Sequence, residues 1–137
     1  IIYLRFKNMG ILELFFGKQT NKTGTVRGIT QENVMKDWEN IRILLSKKGP
    51  SQLRQALITA DKSLDNVLRD LVVGETMGDR LKNSKDMFDW DVYQKIWEAH
   101  KLRNNIVHES NFDPPYFVVN EAINNIQKAL NLLGIKV

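Results

Sequence analysis

A short segment in the last third of the chain combines a permanent cation, an amide and an imidazole. Arg103 is followed directly by Asn104, and His108 comes five residues after the arginine. An imidazole can move protons near neutral pH, and a guanidinium can hold a phosphate and its developing charge. Together these residue types could move a proton and stabilise negative charge on a phosphate. Asn104 would then orient the imidazole or the phosphate.

The spacing limits how these groups can meet. On a regular helix Asn104 and His108 lie on the same face, whereas residues five apart point about 140° away from each other. Arg103 and His108 can therefore converge in three ways: the helix end distorts, the arginine side chain wraps round the helix, or two chains pair.

The same residues also fit a purely structural role. Arg103 has three candidate carboxylate partners, which are Asp61, Asp65 and Glu98. A cation is favoured at a helix C-terminus, so His108 would then serve as a cap. Under either interpretation, any site of this chain lies at residues 103–108.

Metal and cofactor chemistry find little support in the composition. The chain has no cysteine and only two histidines, His100 and His108, so a thiolate site or the usual zinc site is not expected. Asp86, Asp89 and Asp91 lie close together, but their position indicates an acidic helix start rather than a metal site. No phosphate loop or dinucleotide motif occurs, and we expect no cofactor, neither a metal nor a small molecule.

The elements that must position these residues are helices. Apolar residues recur at three-to-four spacing, which predicts an all-α fold with four or five antiparallel helices. Thr30 is the expected N-cap of the first helix, and His100 is expected as a core or edge histidine. The three tryptophans are expected in the core rather than on a base-stacking surface. The predicted helices span about 31–47, 51–73, 76–87, 90–108 and 116–133, with Gly49-Pro50 and Asp113-Pro114-Pro115 as breaks.

Charge divides the chain into two parts. Residues 1–50 hold nine Lys/Arg against four Asp/Glu, and residues 51–137 hold eleven against twelve. We expect 1–30 to be an apolar and basic N-terminal segment with a linker, and 31–137 to be the bundle. Residues 1–16 are too short and too charged to span a bilayer. They fit the end of an upstream membrane anchor, an interfacial helix or a segment packed on the bundle. A basic linker could meet phosphates or an anionic lipid surface, or simply be solvated.

The run Arg103-Asn104-Asn105-Ile106-Val107-His108, near the end of a late helix, resembles the motif of HEPN helical bundles. The stretch from Ala60 to Asn104 is also similar to uncharacterised bacterial proteins that often place such a bundle after an N-terminal membrane helix. The resemblance covers about residues 35–134. It implies a HEPN-like bundle, a cytoplasmic location with a tether to the inner face of the membrane, and Arg103, Asn104 and His108 as catalytic residues where members are active.

HEPN nucleases pair, so the resemblance also implies a homodimer through the helix that carries 103–108. Two hypotheses about function follow. The first is a non-catalytic interaction or nucleic-acid-associated module, which the near-neutral charge of residues 51–137 favours, because RNA-cutting surfaces are usually basic. The second is a metal-independent ribonuclease of the toxin or defence type that uses Arg103 and His108 on RNA, which the motif favours.

Overall fold

A computed structural model describes residues 24–137 of the chain, and all of their regular structure is helical. The helices are α1 (Gly28–Lys47), α2 (Pro50–Leu71), α3 (Met77–Asn83), α4 (Trp90–His108) and α5 (Tyr116–Leu132), with one turn of 3-10 helix at Lys85–Met87 between α3 and α4. No strand occurs in this part of the chain. The predicted all-α fold is therefore confirmed. Most of the expected segment 1–30, with its proposed membrane contact, lies outside the described residues.

Local signals in the sequence explain most helix ends. Lys48 takes the left-handed conformation with φ 59° after α1, and Pro50 starts α2. The hydroxyl of Thr76 accepts a hydrogen bond from the backbone N–H of Asp79, which caps α3. The carboxylate of Asp89 caps α4 through the N–H of Val92, so this residue does serve a helix start.

The beginning of α1 differs from the prediction. Thr30 was the expected N-cap, but α1 already begins at Gly28, and Thr30 is a buried residue of its first turn. The backbone N–H of Arg27 instead donates to the Asp70 carboxylate on α2 over 3.0 Å, and the Arg27 guanidinium contacts the same group. A carboxylate from a neighbouring helix thus fixes the residue that precedes α1, while no side chain caps this helix.

Helix α2 lies at the centre of the bundle and packs against each of the other four α-helices. Its apolar residues are fully buried along most of its length, for example Leu57, Leu64 and Leu68. Against α1, the indole N–H of Trp38 donates to the buried hydroxyl of Ser63 over 3.0 Å. Burying the large indole contributes hydrophobic free energy, and the hydrogen bond avoids leaving its N–H without a partner.

The three tryptophans do not share one environment. Trp38 is buried and Trp97 is half-buried against the core, as expected. The expectation of a core position is wrong for Trp90, which is 63% exposed at the first position of α4. There its ring lies 6.1 Å from that of Tyr93 and 5.7 Å from the Lys85 ammonium. The first turn of α4 extends beyond the core, so helical spacing alone misplaces this residue.

A buried ion pair fixes the turn between α2 and α3. Arg80 donates to both carboxylate oxygens of Asp65, over 2.6 and 3.1 Å, and to the carbonyl of Gly74 over 2.7 Å. Gly74 has φ +152°, and a Cβ there would come within 2.9 Å of the Arg80 backbone nitrogen. Only glycine fits this approach without strain. The pair therefore holds the chain in the direction that leads to α4.

Two contacts establish how α4 lies against α2. His100 of α4 meets Asp61 of α2, while Arg54, earlier on α2, donates to the carbonyl of Phe112 just beyond the end of α4. The two helices therefore run antiparallel, and the end of α4 lies level with the beginning of α2. None of the helices within residues 24–137 is long and apolar enough to cross a membrane.

Candidate functional site

The predicted motif, Arg103 to His108, occupies the last two turns of α4, and Arg103 lies on the side that faces α2. His100, Asn104 and His108 follow one another at intervals of four residues, so they share one face of the helix. Arg103 lies one residue away from this line and also reaches α2. Helix α4 thus directs His100 and Arg103 towards Asp61 of α2, with Asn104 between them, and this contact between α2 and α4 is called the seam below.

A buried carboxylate, that of Asp61, joins α2 to α4 at the level of His100. Asp61 has only 4% of its side chain exposed, and its Oδ2 lies 3.0 Å from Nδ1 of His100, whose side chain is 12% exposed. An ionised carboxylate is costly to bury without hydrogen bonds or an opposite charge. His100 is therefore an interior residue with a specific partner, which agrees with the expected core or edge histidine.

Asn104 extends this contact to Arg103. Nη1 of Arg103 donates to Oδ1 of Asn104 over 2.9 Å, so the amide nitrogen of Asn104 points towards Nε2 of His100, 3.4 Å away. These directions are mutually consistent when the imidazole carries its proton on Nδ1, next to Asp61, and accepts at Nε2. The result is a hydrogen-bonded chain from Asp61 through His100 and Asn104 to Arg103.

Arg103 also faces Asp61 directly. Its Nε lies 3.7 Å from Oδ2 of Asp61, which is close enough for an ion pair but too long for a hydrogen bond. This Nε is buried and has no hydrogen-bond partner within residues 24–137. The side chain as a whole is 32% exposed. Of the three carboxylates considered from the sequence, Asp61 is the one that the structure places beside Arg103.

His108 stands apart from this network. It is the last residue of α4 and is exposed, and no hydrogen bond or ion pair joins it to Arg103. The structure thus brings Arg103 and Asn104 into direct contact, whereas His108 is one turn beyond Asn104 on the same face. Helix α4 remains regular up to His108, so no distortion of its end turns the imidazole towards the guanidinium.

The sequence analysis did not single out Asp61 as the central carboxylate of the seam, and it missed Arg54. Asp61 was named there only as one partner among three, although it interrupts the apolar pattern of α2 at a buried position. Arg54 lies seven residues before Asp61, on the same face of α2, and donates to the carbonyl of Phe112. A charged residue within the apolar stripe of a long helix was the signal that could have identified Asp61. Arg54 carried no comparable signal, because its partner is a backbone carbonyl in a loop.

The described residues offer no metal centre, since no group of three or more His, Cys, Asp or Glu residues is arranged to hold an ion there. What the seam can do is hold α4 against α2 and present one exposed imidazole at its end.

No family model, no curated protein and no solved structure matches this chain. The resemblance to HEPN bundles therefore depends on the motif and on its place near the end of the penultimate helix.

Proposed function

We propose that this chain is a non-catalytic interaction module built on a HEPN-like helical bundle. The observation that carries the proposal is the position of Arg103, whose guanidinium is engaged within the chain by the buried carboxylate of Asp61 and by Asn104. A ribonuclease needs this cation at the phosphate, where charge develops in the transition state. An arginine that balances a buried carboxylate already has a structural role.

Charge supports the same proposal. Residues 51–137, which include the whole α2–α4 seam, carry eleven basic and twelve acidic side chains. Proteins that bind RNA usually attract phosphates with a basic surface, because neutralised phosphates release counterions. A protein partner does not require such a surface. The basic excess instead lies in residues 1–50, where a contact with anionic lipid remains part of the proposal.

A metal-independent ribonuclease is the second candidate, and the exposure of His108 favours it. In this function the His108 imidazole would move protons, while Arg103, one third exposed, would turn from Asp61 towards the phosphate. Asn104 would orient either group. Because Arg103 and His108 do not meet within one chain, the cleft would need two copies paired through α4, as the HEPN resemblance implies.

The two functions are separated by incubating the purified full chain with RNA, with and without EDTA. A module leaves the RNA intact under both conditions. The ribonuclease cuts it in EDTA, and the activity disappears in His108→Ala but persists in Lys36→Gln, a matched change of an exposed side chain on α1. Cleavage that depends on His108 would overturn the proposed module and establish the second candidate.

The proposed lipid contact has a separate test. The full chain is sedimented with vesicles of neutral lipid and with vesicles that contain anionic lipid, at low and at high salt. Binding only to anionic vesicles, and less at high salt, would support a surface contact through the basic N-terminal residues. Equal recovery with both vesicle types would remove the membrane from the proposal.

A further inference from the structure

We infer that a cleft at one end of the bundle binds an acidic side chain within an extended peptide of a partner protein. The cleft lies where α1 ends and where α2 and α5 begin, and its volume is about 320 Å³. It is lined by Lys48, Pro50, Leu53, Arg54, Asp113, Pro114, Pro115, Tyr116 and Val119. It is separate from the contacts that join Asp61 to Arg103.

Two cations from different elements face this cleft. Lys48 follows the last residue of α1, and Arg54 comes from the second turn of α2. The contacts of Arg54 within residues 24–137 use Nη2, which donates to the carbonyl of Phe112 and faces Asp113. That hydrogen bond fixes the guanidinium at the wall of the cleft while Nε and Nη1 are left for a further acceptor. A guanidinium matches the planar geometry of a carboxylate.

The chain already places a carboxylate at this position. Oδ1 of Asp113 lies 3.9 Å from Nη2 of Arg54, at the edge of ion-pair distance, and the Asp113 side chain is 75% exposed. Exposed pairs of this kind contribute little to stability, so an incoming acidic side chain can readily displace Asp113. The contact shows that a carboxylate fits beside Arg54, and that Asp113 competes for the same position.

The remaining walls define the rest of the ligand. Tyr116, Pro114 and Pro115 provide solvent-accessible apolar surface next to the two cations, with the buried Leu53 and Val119 behind them. A volume of 320 Å³ is near the lower limit for small-ligand sites, so it suits one acidic side chain with an apolar neighbour rather than a folded element. A polyanion such as RNA is less suitable, because Asp113 lies within the cleft and the near-neutral residues 51–137 provide no basic surface for successive phosphates.

This inference rests on the proposed function, because it names the chemistry of the partner that the module would bind. The probe is the peptide acetyl-Gly-Leu-Glu-Leu-Gly-amide, added to the full chain while backbone amide signals are followed by NMR. The matched control peptide carries Gln in place of Glu, and inorganic phosphate forms a third arm. The Glu peptide is expected to shift signals at 48–54 and 112–119 and to bind at least tenfold more tightly than the Gln peptide.

Three variants connect the binding to the named side chains. Arg54→Gln should weaken the Glu peptide at least tenfold, and Asp113→Asn should tighten it about threefold by removing the internal competitor. Lys48→Asn should also weaken it, and asparagine tolerates the left-handed backbone at this position. Arg42→Gln is the matched control, because Arg42 lines a different basic depression together with Lys136.

Equal binding of the Glu and Gln peptides, shifts confined to other surfaces, or the same shifts with phosphate and none with peptide would each overturn the inference. The proposed module would survive these results, because the RNA assay tests it separately. Conversely, RNA cleavage together with selective binding of the Glu peptide would rule out the proposed non-catalytic module. The cleft would then be a peptide-binding site of a ribonuclease.

Discussion

The carboxylate of Asp61 on α2 lies 3.0 Å from Nδ1 of His100 on α4, and both side chains are largely shielded from solvent. Thirty-nine residues separate them in the chain. This contact places Asn104 and Arg103 at the next turn of α4 and leaves His108 exposed beyond them. The two histidines of the chain therefore have different roles, and the functional proposal depends on that difference.

Replacement of each histidine by alanine should separate these roles. His100→Ala leaves the buried Asp61 carboxylate with Arg103 as its remaining partner, and we expect the free energy of unfolding to fall by about 1–3 kcal/mol. His108→Ala changes an exposed side chain and should alter it by less than about 0.5 kcal/mol. Urea denaturation followed by circular dichroism measures both. Equal losses for the two variants would contradict the assignment of His100 as the interior partner.

The Arg80–Asp65 pair should be a large contributor to stability. Arg80→Ala removes three hydrogen bonds and leaves Asp65 with Arg69, 3.3 Å away, as a remaining partner, so we expect a loss of about 2–3 kcal/mol. Lys62→Ala is the matched control, because its pair with Asp37 spans 3.5 Å and the lysine is 59% exposed. The control should lose about 1 kcal/mol or less in the same denaturation experiment. A similar loss in both variants would show that burial of the Arg80 pair has no special effect.

Asp70 should give the chain part of its sensitivity to acid. Burial alone raises the pKa of Asp70, but the backbone N–H of Arg27, the Thr30 hydroxyl and the Arg27 guanidinium together lower it below its ordinary value of 3.8. A carboxyl whose pKa is lower in the folded chain stabilises it above its ordinary pKa, and this contribution is lost as pH falls through the folded value.

Asp70→Asn should therefore reduce stability at pH 7 and show a smaller further loss below about pH 4 than the parent chain. Denaturation midpoints measured from pH 7 down to pH 2 test this expectation. If the parent and the variant lose stability in parallel over the acid range, Asp70 is not the responsible carboxyl.

The proposed pairing through α4 can be tested at Val107. This residue lies within the motif, beside His108, and is 45% exposed. An exposed apolar side chain at this place fits an interface between two copies. We expect the chain to sediment as a dimer and Val107→Glu to sediment as a monomer, because burying an unpaired charge opposes association. Ile43→Glu, at a 55% exposed position on α1, should leave the dimer intact. A monomer at all concentrations would remove the pairing on which the ribonuclease candidate depends.

Local signals were sufficient to predict the helices. The pairs Gly49-Pro50 and Pro114-Pro115 prevent a preceding helix from continuing, whatever the rest of the fold. The Thr76 hydroxyl caps the helix that begins at the next residue. The start of α1 could not be predicted in this way, because Arg27 is held there by Asp70 of another helix and no local side chain caps α1. Trp90 was misplaced for a related reason, since periodicity shows the face of a residue but not how far the core extends.

The site was predictable within α4 but not across the seam. The spacing of four residues correctly places Asn104 and His108 on one face of α4. Which of three carboxylates would meet Arg103 depends on how α2 and α4 are aligned, and that alignment arises from packing along the whole length of both helices. The same alignment brings Arg54 level with the end of α4, a relationship that no local pattern contains.

A double-mutant cycle between Asp61 and Arg103 tests the central claim most directly. The free energy of unfolding is measured for the parent chain, Asp61→Asn, Arg103→Gln and the double variant. If Arg103 is an internal partner of Asp61, the losses are not additive, and the coupling free energy reaches about 1 kcal/mol. Additive losses, with a coupling below about 0.3 kcal/mol, would show that Arg103 does not serve Asp61 and would leave its guanidinium available for a phosphate.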